Sequence, residues 1–208
     1  MCMKIETLVL GALRANCYFV TLGGQTIIID PGADQAALRE KIKECKNPIP
    51  YVLLTHRHAD HLMGAATAKA LTGAQVVISH ADAEGLSDPH VSLSSMLSAV
   101  SQTCFDADIT VGDGDTLPLD GQTIRVIATP GHTVGSVCFL IGDALFSGDT
   151  LFFEGCGRTD LPTGDFQAMQ RSLARLTALE GDCSVYPGHD RPTTLDHERS
   201  YNPYRTNL

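Results

Sequence analysis

The stretch Tyr51-Val-Leu-Leu-Thr-His-Arg-His-Ala-Asp-His-Leu62 decides how this chain is read. Its first half, Tyr51–Thr55, is an apolar, β-branched run of the kind that forms a buried strand. His56, His58, Asp60 and His61 follow at once in an H-x-H-x-D-H arrangement. While the chain stays extended, His56 and His58 project to the same side, because side chains in a strand alternate with period two. A helix starting near Asp60 turns Asp60 and His61 towards the same point. Three imidazoles and a carboxylate within six residues are a donor set suited to zinc and similar divalent metals. A lone histidine is ordinarily a solvated or satisfied polar group, but four such groups buried together without a partner are costly.

Three later positions repeat the local logic. His132 follows the strand-like Ile124–Ala128 in Thr-Pro-Gly-His-Thr, Asp149 follows Ala144-Leu-Phe-Ser-Gly148, and His189 follows Ser184-Val-Tyr-Pro-Gly188. Each lies just beyond an apolar strand, where Gly or Pro lets the backbone turn. Strand ends on one sheet edge can converge, and five His with two Asp can hold two metal ions.

Around these positions, strand-like runs alternate with helical patterns. Strands are expected at Lys4–Leu13, Cys17–Leu22, Ile27–Ile29, Tyr51–Thr55, Gln75–Ser79, Ile124–Ala128, Val137–Ile141 and Ser184–Tyr186. Leu38, Ile42 and Cys45 mark an amphipathic helix after Asp34. Phe166, Met169, Leu173 and Leu176 mark a second with Asp165 as its N-cap, and a third is expected from near Asp60 through Leu62, Ala66 and Leu71. With no low-complexity segment, linker or repeat, residues 1–208 read as a single α/β domain.

Composition narrows the function. Of 208 residues 43% are hydrophobic and 19% charged, which excludes a disordered chain. No apolar run approaches the roughly 18 to 20 residues of a membrane span. The formal charge of −9 opposes nucleic-acid binding. Seven cysteines with no C-x-x-C spacing argue against a disulfide framework or thiolate zinc finger. Most of them read as core fillers. The short apolar run Leu8–Leu13, with Glu6 in its approach, reads as a first strand rather than an export signal, so the protein is expected in the cytoplasm. No G-x-S-x-G elbow and no G-x-x-x-x-G-K loop is present, which disfavours a serine hydrolase and a phosphate-loop nucleotide enzyme. His80, His90 and His197 read as structural or solvated, and Cys156 as packing rather than a nucleophile.

The ligand pattern resembles the metallo-β-lactamase superfamily, whose five motifs read here, in order, as Asp30 in Ile-Ile-Ile-Asp-Pro-Gly, His56 to His61, His132, Asp149 and His189. The resemblance implies a four-layer αββα sandwich. It also implies one metal on His56, His58 and His132, a second on Asp60, His61 and His189, and Asp149 bridging both. Asp30 would support the metal-binding loops, although a turn Asp before Pro31-Gly32 explains it nearly as well. Leu151-Phe-Phe-Glu-Gly-Cys-Gly-Arg-Thr-Asp-Leu-Pro162 and Tyr201-Asn-Pro-Tyr204 look like the glyoxalase II-like hydrolases, and more closely like their compact single-domain branch. Only a short tail follows His189, so the helical C-terminal domain of the larger glyoxalase II enzymes is expected to be absent.

That resemblance implies a dinuclear hydrolase, zinc-dependent first and iron- or manganese-dependent as alternatives, cleaving S-lactoylglutathione-like thioesters by attack of a hydroxide shared between the metals and oriented by Asp60. An iron-dependent persulfide dioxygenase, a lactone hydrolase and a metal-binding protein without turnover are the other readings. A flavodiiron enzyme would carry Glu in place of His58, a nucleic-acid-processing member a large inserted domain, and a true β-lactamase an export signal. Since the chain is acidic, an anionic substrate needs a local cation. Arg158 is the candidate, against a structural ion pair with Asp160 or Asp165. Arg191, Arg199 and Arg205 are weaker ones.

Overall fold

The computed structural model describes residues 3–96 and 101–204. The chain divides into two compact units, Met1–Val111 with Leu119–Gly121, and Gly112–Pro118 with Gln122–Leu208.

The first unit is built on a six-stranded sheet in sequence order, β1 (Lys4–Leu10), β2 (Ala15–Leu22), β3 (Gln25–Ile29), β4 (Tyr51–Leu53), β5 (Gln75–Ser79) and β6 (Ile109–Val111). Pairing is antiparallel up to β3 and parallel from β3 to β6. Parallel strands need crossovers. One carries α1 (Ala36–Glu44), and the next carries α2 (Ala59–Leu62) and α3 (Ala65–Thr72). Leu38 and Ile42 of α1 bury against Phe19, Ile28, Val52 and Leu62. β1 stops at Leu10 rather than Leu13, because Gly11 (φ 70°) and Arg14 (φ 59°) turn the hairpin and leave Leu13 exposed.

The expected third helix is two helices. Gly64 donates its N–H to Pro31 O at 2.6 Å, and a Cβ there would stand 2.6 Å from that oxygen and 2.7 Å from Leu38 Cδ2. This contact seats the Pro31-Gly32 turn against the end of α2, and it interrupts the helical run between Leu62 and Ala65.

The second unit adds β7 (Thr116–Leu119), β8 (Gln122–Ala128), β9 (Val137–Ile141), β10 (Ala144–Gly148), a hairpin of β11 (Leu151–Phe152) and β12 (Gly155–Cys156), α4 (Phe166–Thr177), β13 (Ser184–Pro187), β14 (Thr193–Thr194) and α5 (Leu195–Tyr201). Its main sheet runs β14-β13-β10-β9-β8-β7, and β10 pairs parallel with β13. Asp165 caps α4 as expected, its carboxylate accepting Ala168 N–H at 3.0 Å. Met169, Leu173 and Leu176 bury with Ile127, Leu145 and Val185. Phe166, expected on that buried stripe, is instead 48% exposed in the first turn. Among the described residues, no helix is long and apolar enough to cross a membrane.

Candidate metal centre

In the first unit, β4 ends at Leu53, the chain bends over residues 55–57, and His58, extended at φ −68° and ψ 146°, opens α2. The ring centroids of His56 and His58 lie 4.9 Å apart, and those of His56 and His61 4.2 Å. All three rings are buried. Asp60 follows on the first turn of α2, its Oδ2 3.8 Å from His61 Nε2. A Cβ at Gly32 would fall 1.8 Å from Asp60 O, so only glycine lets the Asp30 turn reach this loop.

Asp30 sits in that turn with φ 49° and is buried. Its Oδ1 accepts Thr55 N–H at 2.8 Å, and its Oδ2 accepts the Thr55 hydroxyl at 2.6 Å and faces His61 Nδ1 at 2.9 Å. A carboxylate can only accept, so His61 carries its hydrogen on Nδ1 and presents the Nε2 lone pair. Because the single Thr55 proton goes to Asp30, the Thr55 oxygen accepts from His56 Nδ1 at 3.1 Å, which fixes the same tautomer there. One carboxylate thus sets two imidazoles.

The second unit carries the remaining candidate ligands, His132, Asp149 and His189. After β8, Gly131 (φ 146°) packs so closely on α4 that a Cβ would lie 2.5 Å from Met169 Cα. His132 then donates from Nδ1 to Arg158 O at 2.7 Å, so it too offers Nε2. Asp149 and His189 follow the parallel neighbours β10 and β13, whose ends are tied by Gly188 N–H to Gly148 O at 2.9 Å. Asp149 Oδ2 stands 3.5 Å from His132 Nε2 and 3.6 Å from His189 Nε2. Both separations exceed a good hydrogen bond. They match the roughly 3.4 Å between two ligand atoms held about 2.1 Å from one tetrahedral ion. The donor set of each unit therefore fits divalent metal.

Arg158 pairs with Asp160, not Asp165, through two 2.7 Å bonds, and its side chain is 62% exposed. The guanidinium holds the Asp160 carboxyl down to about 2. Arg191 stacks on Phe153 at 3.6 Å, and Arg199 donates to the carbonyls of Thr177 and Leu179, so Arg199 belongs to the scaffold. Arg205 lies outside the described residues. His80 faces Val111 O, His90 faces Ser95, and His197 lies between Phe153 and Tyr201 with Glu154 at 3.0 Å.

The cysteines are less uniformly core than expected: Cys17, Cys138 and Cys183 are buried, Cys45 and Cys156 half-buried and Cys104 exposed. Cys2 lies outside the described residues. Burial pushes the Cys156 thiol up to about 11, which keeps it protonated and poorly nucleophilic at neutral pH.

Sequence reasoning missed three supporting residues, Thr55, Asp82 and Glu198. Thr55 relays the Asp30 bond to His56. Asp82 accepts Arg57 N–H at 3.1 Å. Glu198, fully buried, accepts from Glu154 N–H at 3.0 Å, the Thr193 hydroxyl at 2.7 Å and Asn202 Nδ2 at 2.8 Å. It thereby ties the hairpin after Asp149 to the segment after His189. Only Asn202 had a sequence signal, the Tyr201–Tyr204 motif.

A family model of the metallo-beta-lactamase superfamily matches residues 10–189. The chain belongs to the metallo-beta-lactamase superfamily. A hydroxyacylglutathione hydrolase of Acidiphilium cryptum is 37% identical over 174 residues, 83% of this chain and 63% of that protein. The crystal structure of BLEG-1 B3 metallo-beta-lactamase superposes with a TM-score of 0.91 at 31% identity, covering 98% of this chain and all of the other. TTHA1623, solved in a di-iron-bound form, gives 0.84 at 31% identity over 96% of this chain and 99% of its own. These similarities bear out the expected superfamily fold class, and the hydrolase homologue supports the glyoxalase II-like branch.

Proposed function

We propose that this chain is a metal-dependent hydrolase of anionic thioesters, of the hydroxyacylglutathione type. The observation that carries the reading is the tautomer control: His56, His61 and His132 each engage Nδ1 as a donor and offer Nε2 to a ligand. His56, His58 and His132 would hold one divalent ion, Asp60, His61 and His189 a second, and Asp149 would bridge them. The two units would then act as one catalytic domain, a reading supported by the single family match across both. Zinc suits this His-rich set, and iron is the alternative supported by the di-iron relative.

When bound, the ions supply a water of lowered pKa, about 7, and polarise a carbonyl oxygen. The protein's own part is orientation. Asp60 accepts a hydrogen bond from the attacking water, Asp30 and Thr55 hold two imidazoles in the ligating tautomer, and Arg158 offers its exposed guanidinium to a substrate carboxylate. A thiolate leaving group, with a pKa near about 8.5, needs little general-acid assistance. A reducing, cytoplasmic setting goes with this reading, in keeping with seven cysteines that share no C-x-x-C spacing.

The test is a substrate panel on one purified sample: S-lactoylglutathione, a lactone, a β-lactam, and a persulfide with oxygen uptake. Thiol release from the thioester, abolished by chelation and restored by Zn²⁺ or Fe²⁺, is the expected result. Preferential turnover of another substrate replaces the thioester assignment, and thioester cleavage that survives complete metal removal overturns the mechanism.

A further inference from the structure

The geometry assigns Asp82 and Arg57 as a positioning pair for the His56–His58 ligand loop, a role that rests on the metal reading above. Arg57 stands between the two histidines. It is 8% exposed, a burial that arginine rarely reaches without a charge partner. That partner comes from a different element. Asp82, fully buried in the turn after β5, accepts Arg57 N–H at Oδ2 (3.1 Å), while its Oδ1 stands 3.8 Å from Arg57 Nε. One carboxylate therefore holds both the backbone and the side chain of the same residue.

The seat is shaped for this purpose. Gly85 lies against Arg57, and a Cβ there would stand 2.5 Å from Arg57 Cβ and 3.1 Å from Arg57 O. The turn is braced by Asp82 N–H to Ser79 O at 3.1 Å and Gly85 N–H to Asp82 O at 3.0 Å. The loop is thus gripped at Arg57, the residue that joins His56 to His58. Any rotation of the Arg57 peptide swings both rings. The charge matters because a buried guanidinium that loses its carboxylate must find another one or reach water, and either move displaces the loop.

The test compares wild type, Asp82→Asn and the neutral double variant Arg57→Gln/Asp82→Asn in the metal-free form. Each is titrated with Zn²⁺ against a chromophoric chelator and melted without metal. Asparagine keeps an oxygen for Arg57 N–H but removes the counter-charge. Asp82→Asn should lose zinc affinity by about 10- to 100-fold, the range seen when a supporting partner of a ligand is removed. The double variant should recover to within about threefold of wild type. A purely structural role lowers the melting temperature and leaves zinc affinity alone. That result overturns the assignment, as does a folded double variant that binds as weakly as Asp82→Asn. If Asp82→Asn does not fold, Arg57→Gln takes its place: a loss of zinc affinity of about 10- to 100-fold that the double variant restores supports the pair, and unchanged affinity refutes it. Failure of the wild type to bind zinc is a separate outcome and refutes the metal reading.

Discussion

Replacing Asp30 by Asn reverses a chain of hydrogen bonds while preserving its shape. Asparagine tolerates the left-handed backbone at φ 49°. Its oxygen can keep the Thr55 N–H bond of 2.8 Å, but its NH₂ group then faces the Thr55 hydroxyl at 2.6 Å and His61 Nδ1 at 2.9 Å, where two donors now point. The bonds re-form only if His61 moves its hydrogen to Nε2 and Thr55 turns its proton towards His56 Nδ1, which pushes the His56 hydrogen to Nε2 as well. Both ligating nitrogens are then blocked. The metal-free protein should lose only about 1–2 kcal/mol, the difference between charge-assisted and neutral bonds. Zinc affinity should fall by at least about 10- to 100-fold. Asp30→Ala is the contrast. It strands buried donors at about 1–3 kcal/mol each and adds left-handed strain, for a total on the order of 4 kcal/mol. Zinc competition titration reads the affinity, melting reads the stability, and nitrogen-15 spectra of the imidazoles read the tautomer. An Asp30→Asn protein that keeps His61 Nδ1–H and wild-type zinc affinity refutes the reasoning.

Asp149→Ala should lower the content of both metals, whereas His189→Ala should lose chiefly one; metal analysis on folded variants checks the difference. Arg158→Ala should raise KM selectively for anionic thioesters, with metal content and melting temperature unchanged, since its partner Asp160 is itself exposed. Gly32→Ala places a Cβ 1.8 Å from Asp60 O, and the overpacking should destabilise by about 3 kcal/mol or more and perturb metal binding, as melting and zinc titration would show. Cys156, with its thiol pushed up to about 11, stays neutral below that pH, so alkylation at pH 7 should be slow and Cys156→Ser should retain activity.

Local signals explain what could be read from the chain in advance. The Asp165 cap and the Met169, Leu173, Leu176 stripe identified α4 because both are encoded within one segment. The seven proposed ligand positions stood out because imidazoles and carboxylates beyond apolar strand ends are chemically unusual. α5 was not legible: Leu195-Asp-His-Glu-Arg-Ser-Tyr201 has little apolar periodicity, and it forms on the Thr194 cap and the burial of Leu195 and Glu198. The break at Gly64 depends on Pro31, more than thirty positions away in sequence, and the Arg57–Asp82 and Glu198–Glu154 contacts are equally non-local. Tertiary partners of this kind leave no period and no motif. The Asp30 turn was visible as Asp-Pro-Gly, but its control of His56 and His61 exists only once Thr55 is folded beside it.

Hydrolysis by this chain is proposed to require two divalent ions held by His56, His58, Asp60, His61, His132, Asp149 and His189. Metal content per chain, measured on the purified protein before and after chelation and paired with thioester cleavage on the same samples, tests it most directly. Two ions per chain are expected, with loss of cleavage as they are stripped and return of both on adding Zn²⁺ or Fe²⁺. A metal-free protein that still cleaves the thioester would contradict it.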